Sequence, residues 1–351
     1  MNRFDVIVVG AGPAGATTAA LTAAAGLRTL IIERAHFPRH KVCGDCVNPG
    51  CWEIFAELGV AGRVAKLPFS ALRWVDFVPI SGRRIRFGLP DQQHPEIGLS
   101  RRLLDSALLE RAAELGAQIW FGEPVTRVRP GWEVGTATRR AAGRFLVAAD
   151  GRNATVARLL QDFPKVRPER VAWQTHFPAT STPHVALELH PEGYLGLASV
   201  DQAQMNLCVV SRPPYAAAFR ARASARFRLR EDHPWFSIAP LSRLPIRSTR
   251  ERLLYVGDAG RVVEPFTGEG ILYALKTGSL AAKAILRSVN CGCPAEVWYA
   301  LRQDEVYRHR LWINQLARQS VLHPRLASGA LHALRFWPEP LRHLTGKVVS
   351  P

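Results

Sequence analysis

Lysine is nearly missing from this chain of 351 residues. Only six of its 46 basic residues are lysine, so the formal charge of +17 is carried by arginine. The arginines are scattered, with no homeodomain, zinc-finger or RNP pattern to organise them, which sets nucleic acid aside as a partner. Arginine-rich composition accounts for the charge without function; a basic surface meeting anionic lipid or an acidic carrier is the functional counterpart. Cysteine is sparse too. Six thiols over this length, without a basic and then apolar leader, do not make a disulfide framework and point to the cytoplasm. No apolar run is long enough to cross a bilayer, and there is no internal repeat or low-complexity linker. The eleven histidines form no metal-binding pair on a helix, and no metal is expected. What is present is 47% hydrophobic residues, in a chain long enough for two or three packed units.

The most informative stretch is VIVVGAGPAG, Val6 to Gly15. A β-branched run, Val6 to Val9, reads as a buried parallel strand. It enters Gly10-Ala11-Gly12-Pro13-Ala14-Gly15 and an Ala-rich helix ending near Gly26, and a second strand, Arg28 to Ile32, closes on Glu33. Strand, G-x-G-x-x-G, helix, strand and acid form the dinucleotide fingerprint in its full context. Gly10 makes the tight turn, Gly12 lets backbone approach a pyrophosphate, and Gly15 lets helix and strand pack closely. Free N–H groups at the helix start attract phosphate. Glu33 is placed to accept from both ribose hydroxyls of an adenosine.

Beyond this unit the βαβ rhythm is interrupted. A short helix is expected near Cys51–Leu58, and residues 72–88 read as a strand pair turning at Ser81-Gly82. Leu99 to Leu115 is helical, with Leu103, Leu104, Ala107, Leu108, Ala112 and Leu115 on one stripe and Gly116 as the stop. Strands follow at Gln118–Phe121, Val125–Arg129 and Arg144–Ala149. Residues 171–210 alternate as in an antiparallel sheet, 214–232 read as a basic helix, and Leu253–Val256 is a buried strand before a helix from about Gly270 to Val289. The expected fold is α/β. A Rossmann-like cofactor domain is assembled from 1–71, 98–165 and 246–290, an antiparallel β-rich substrate domain from 72–97 and 166–245 is inserted into it, and 291–351 form a helical tail. Tail segments such as LASGALHALRFW carry an apolar stripe with basic edges. Packing on the body explains that stripe; peripheral contact with an anionic membrane is the functional reading.

Two further motifs sit at strand ends. Phe145 to Ala149 runs into Asp150-Gly151, at the edge where doubly wound sheets bind ligands. The segment LLYVGDAGRVVEPFTGEGILYALKTG places Asp258 after a strand to accept from a ribityl hydroxyl, and Gly268-Glu269-Gly270-Ile271 opens a helix whose N-terminus faces an electron-rich ring edge. As alternatives, Asp150-Gly151 is a common turn and Gly257-Asp258 an Asx turn or cap.

The order GxGxxG, then DG, then GD resembles the glutathione-reductase-type FAD proteins of the p-hydroxybenzoate hydroxylase fold. Within them PFTGEGILYALKTG is most similar to the geranylgeranyl reductase family, as is the loop Phe37-Pro-Arg-His-Lys-Val-Cys43-Gly44-Asp-Cys46. The resemblance covers most of residues 1–290. It implies FAD in extended form, contacted by Arg34, Arg39 and Arg101 (the last in Arg101-x-x-x-Asp105-x-x-Leu108), with Val125 touching adenine and Cys43-Gly44 against the isoalloxazine. Gly193 to Ser199 lacks the Tyr-x-Trp-x-Phe-Pro cavity segment common in those reductases, and no halogenase Gly-x-Trp-x-Trp-x-Ile-Pro motif is present.

Cys43-x-x-Cys46 also admits a dithiol relay, or a zinc site completed by Cys291-x-Cys293; the two pairs lie in segments assigned to different parts of the fold. Lys41 and Arg39 favour the Cys43 thiolate while burial opposes it. Cys51 and Cys208 read as core residues. With one dinucleotide fingerprint, NAD(P)H is expected to bind only transiently, as reductant. The leading activity is reduction of carbon–carbon double bonds in a prenyl, polyene or carrier-bound substrate by hydride from reduced flavin, with Cys43, Tyr194 and His176 as candidate proton donors. The alternatives are a monooxygenase that hydroxylates or epoxidises, and a non-catalytic flavin protein that passes electrons or docks to a membrane.

Overall fold

The computed structural model describes residues 2–90, 94–166, 169–308, 310–334, 336–337 and 339–349. The first 32 residues build the expected unit: β1 (Asn2–Val9), α1 (Pro13–Ala24) and β2 (Thr29–Ile32). Proline opens α1, where its missing N–H costs nothing, and small residues fill the helix. That smallness has a use. The chain next makes β3 (Cys46–Val47), α2 (Cys51–Glu57), α3 (Ala61–Val64), β4 (Ser70–Leu72), β5 (Trp74–Val78), β6 (Ile85–Gly88), β7 (Glu96–Gly98) and α4 (Arg101–Glu114), the last capped by the Ser100 hydroxyl accepting from the Arg102 N–H at 3.3 Å. It returns through β8 (Gln118–Trp120), β9 (Arg127–Arg129), β10 (Glu133–Gly135), β11 (Arg140–Ala148) and α5 (Thr155–Leu159).

A seven-stranded sheet follows β8-β2-β1-β11-β10-β9, with a later strand, residues 253–255, also on β11. Its centre is parallel and its β9–β10 flank antiparallel. Buried aliphatic residues line both faces of the parallel part, as a sheet covered by helices requires.

The second large sheet takes β12 (Val171–Pro178), β13 (His184–His190), β14 (Gly193–Ser199) and β15 (Gln204–Ser211), then, after α6 (Ala216–Arg226), β16 (Phe236–Ile238). Its order is β16-β12-β15-β14-β13-β5-β6. The expectation of an antiparallel sheet needs one correction: β5 and β13 run parallel. A boundary changes as well. Leu72, Glu96 and Ile97 do not join this sheet; β3 and β4 each pair with β7 in a separate three-stranded sheet. Of residues 72–97, those that join the second sheet are β5 and β6.

β17 (Leu253–Tyr255) leads to α7 (Gly270–Cys291), ended by Gly292 in the left-handed region. α1 and α7 lie so close that a Cβ on Gly278 would sit 2.4 Å from the Ala14 carbonyl oxygen, and the Thr18 hydroxyl donates to the Gly278 carbonyl at 3.0 Å. The tail forms α8 (Ala295–Tyr307), α9 (Leu311–Leu322), α10 (Pro324–Leu334) and α11 (Glu339–Val349). No described helix is long and apolar enough to cross a membrane. Arg335, inside the LASGALHALRFW segment, lies outside the described residues.

Candidate functional site

A cavity of about 710 Å³ runs from the start of α1, past the start of α7, to the face of the second sheet. At its first end Gly10 turns the chain at φ +101°, which only glycine adopts without strain. Glu33 holds this turn: one carboxylate oxygen accepts the Ala11 N–H at 2.7 Å, the other the Ala35 N–H at 3.0 Å. Its expected ribose contacts would use the remaining lone pairs. Gly12, Pro13, Ala14, Glu33, Arg34, Arg39 and Val125 line this end. Ala11 and Gly15 do not line it. Gly15 serves packing, since a Cβ there would fall 1.9 Å from the Gly10 carbonyl oxygen.

Cations gather midway. The buried Asp105 carboxylate takes two bonds from Arg101, at 2.7 and 2.8 Å, and lies 3.2 Å from an Arg39 nitrogen. Lys41 lies among them, and burial, helped by Arg101, pushes its pKa down to about 8. Asp258 does not stand alone; Arg152 donates to it at 3.3 Å. Asp150 accepts the Val156 N–H at 2.8 Å while its other oxygen has no partner, and burial raises its pKa to about 6. Gly151, Gly268, Gly270 and Ile271 complete this wall. Glu269 is a correction. Its side chain is turned out of the cavity and bonds to Tyr273, Arg310 and Asn314.

The Cys43 loop is clamped to the second sheet. Gln174 accepts the Cys43 N–H at 3.3 Å, and Asn206 donates to the Cys43 carbonyl at 2.8 Å. Burial raises the Cys43 thiol pKa, and the cation opposing this is Arg101, not Lys41 or Arg39. His176 is absent from the cavity wall; its ring sits 2.6 Å from the buried Asp45 carboxylate, behind the loop. Tyr194 and Cys43 do line the cavity. So does Cys208, which was expected in the core; its thiol donates to the Cys43 carbonyl at 3.3 Å. Among the described residues no cluster of three His, Cys, Asp or Glu side chains could hold a metal.

The far end is apolar. Val75, Phe77, Leu187 and Leu189 of the second sheet face Leu331, Leu334 and Leu341 of the tail. The tail is pinned over them by Asn48, which donates to the Val348 carbonyl at 2.8 Å. Sequence reasoning missed this role, because an apolar helical stripe reads the same over a core or a cavity. It also missed Arg152, Phe266 and Glu96, whose positions in the wall depend on contacts distant along the chain.

The geometry fits an extended FAD. Neither α1 nor α7 has a side-chain cap at its start, leaving N–H groups open to the cavity for a pyrophosphate and a ring edge. A Cβ on Gly44 or Gly270 would meet nothing within 4 Å, so space for a ring lies between the Cys43 loop and α7. Comparison with known proteins agrees. The menaquinone reductase of Mycolicibacterium smegmatis is 28% identical over 350 residues, covering 88% of this chain and 82% of that protein. Digeranylgeranylglycerophospholipid reductase 2 of Methanopyrus kandleri is 26% identical, covering 82% and 78%. A geranylgeranyl bacteriochlorophyll reductase-like structure from Thermoplasma acidophilum superposes with a TM-score of 0.74 at 20% identity, covering all of this chain and 92% of that one. A flavin-dependent brominase gives 0.77 at 21%, covering 98% and 94%. The FAD binding domain family matches residues 3–288, and the chain belongs to it, as an FAD-dependent oxidoreductase.

Proposed function

We propose that this enzyme reduces carbon–carbon double bonds in a long apolar substrate of prenyl or polyene type, free or carrier-bound. The observation that carries the reading is the continuity of the cavity, from a cationic cofactor end to a chamber walled by aliphatic side chains of the sheet and tail. Bound FAD, once reduced, supplies hydride. The chain's residues supply the rest. Uncapped helix starts and Arg39, Lys41 and Arg101 hold negative charge, Cys43-Gly44 backs the ring, and the tail excludes water from the chamber. NAD(P)H, bound transiently, is the proposed reductant. Tyr194, against Phe266 at 5.1 Å between ring centres, is placed to orient the substrate.

The test is product mass. Holoenzyme reduced with dithionite without oxygen, then given geranylgeraniol, is expected to yield product heavier by two hydrogens. A product heavier by one oxygen, formed only in air with oxygen consumed, would replace this reading with the monooxygenase.

We further propose that the tail touches an anionic membrane from which substrate enters. Leu326, Phe336 and Trp337 are strongly exposed, and Arg325 and Arg342 lie near them in the sequence. Two half-inserted aromatic rings contribute about 1.5–3 kcal/mol together, roughly ten- to a hundred-fold in partitioning. A Phe336→Ser/Trp337→Ser double variant should lose that much binding to phosphatidylglycerol-containing vesicles in sedimentation. Unchanged binding would remove the idea.

A further inference from the structure

Glu96 lies on β7, outside every motif in the sequence. Its side chain lines the cavity beside Cys46 and the turn that precedes α7; a Cβ placed on Gly268 would be 3.8 Å from the Cys46 Cβ and 3.9 Å from Glu96 Oε1. That is the wall next to the uncapped start of α7, where the ring edge is expected. Glu33 is engaged by two backbone N–H groups and Asp258 by Arg152, and Asp150, though one of its oxygens is unpaired, is tied to the start of α5 through the Val156 N–H. Among the described residues the Glu96 carboxyl has no hydrogen bond or ion pair. A half-buried, cavity-facing carboxyl without a partner is poorly explained by structure alone, since it makes no bond that holds the fold.

Resting on the reductase reading above, we propose that Glu96 is the acid that completes the reduction. The substrate π bond breaks. One carbon gains hydride, with both electrons, from the reduced cofactor, which is thereby oxidised. The other carbon takes the proton of Glu96, and the carboxylate left behind is reprotonated from water.

The surroundings suit that role. Cys46 of β3, Cys51 of α2 and Glu269 before α7 face the carboxyl, and Glu269 is itself bonded to Arg310 and Asn314. Burial, then the Glu269 charge, pushes Glu96 up to about 7, so it holds a proton at neutral pH and can release it. Cys43 and Tyr194, both in the cavity wall, hold their protons more tightly, because burial raises each of them. As a raised carboxyl, Glu96 is a competent donor below about pH 7 and loses the proton above it.

Two readouts test this in FAD-loaded wild type, Glu96→Gln and Glu96→Asp. In oxidised, substrate-free enzyme, infrared difference spectra of wild type against Glu96→Gln should show a protonated-carboxyl carbonyl band at pH 6 that disappears as pH rises through about 7. In anaerobic stopped flow, reoxidation of the dithionite-reduced enzyme by geranylgeraniol should slow by roughly a hundred-fold or more in Glu96→Gln, with Glu96→Asp partly restoring it. Absence of the band, or reoxidation of Glu96→Gln at the wild-type rate, overturns the proposal. If wild type itself forms no doubly hydrogenated product, the reductase reading falls and the donor role with it. The wild-type product thus separates the two failures.

Discussion

Gly10→Ala is expected to purify as a colourless protein. Two independent effects act at this position. Its φ of +101° is strained for any L side chain, a cost of about 1–3 kcal/mol. The added Cβ would also lie 2.5 Å from the Ala149 carbonyl oxygen and 2.9 Å from the Asp150 Cα. Neither neighbour yields easily. The Ala149 N–H donates to the Val9 carbonyl at 2.8 Å, and Asp150 anchors the start of α5. Relief must come from moving the turn itself, which carries the Ala11 N–H away from Glu33 and shifts the start of α1. Because α1 is locked against α7 at Gly278, the helix cannot follow as a rigid body. The phosphate-binding N–H groups are therefore misaimed even if the protein folds. The ratio of visible flavin absorption to protein absorption, after incubation with excess FAD, should fall to a small fraction of wild type. Full colour in a folded Gly10→Ala protein would contradict the placement of the pyrophosphate.

The second large effect lies away from the cofactor. Arg170 and Glu264 form a bidentate pair, 3.0 and 2.7 Å, with both side chains buried. Arg170 leads into the second sheet. Glu264 precedes α7, and its N–H donates to Asn314 of the tail at 3.1 Å. One pair thus joins sheet, cofactor loop and tail. Removing one partner leaves an uncompensated buried charge, at a cost of about 3–5 kcal/mol. At roughly 2–4 °C per kcal/mol for a larger domain, the melting temperature should drop by on the order of 10 °C. Arg170→Met and Glu264→Leu should each show this in calorimetry. Their combination should recover most of the loss, because no charge is then stranded. Single variants melting with wild type would mean that water reaches the pair.

These two sites differ in how visible they are in sequence. Gly10, Gly12, Gly15 and Glu33 lie within one strand–helix–strand unit, where spacing alone dictates what meets what. β11, α4 and α7 are legible for the same reason, because helix or strand period and local caps determine them. Arg170 and Glu264, Glu96 and Gly268, and Asn48 and Val348 are distant pairs, and nothing local marks them. The β3–β4–β7 sheet was missed because strands of two or three residues are held by pairing rather than propensity. Glu269 was misassigned because its position in TGEGI marks the helix start but not the direction of its side chain. His176 had the right residue type but lies behind the Cys43 loop, against Asp45, a placement that no local pattern marks.

Local sequence by itself determined that a dinucleotide is bound, where the chain turns around it, and which segments return to the same sheet. Those features rest on backbone geometry that short-range steric rules enforce. Only tertiary packing decided that the tail roofs an apolar chamber, that Asp258 and Glu269 have arginine partners, and that Glu96 lines the cavity. Such facts depend on which distant surfaces exclude water together, and burial is a property of the assembled molecule.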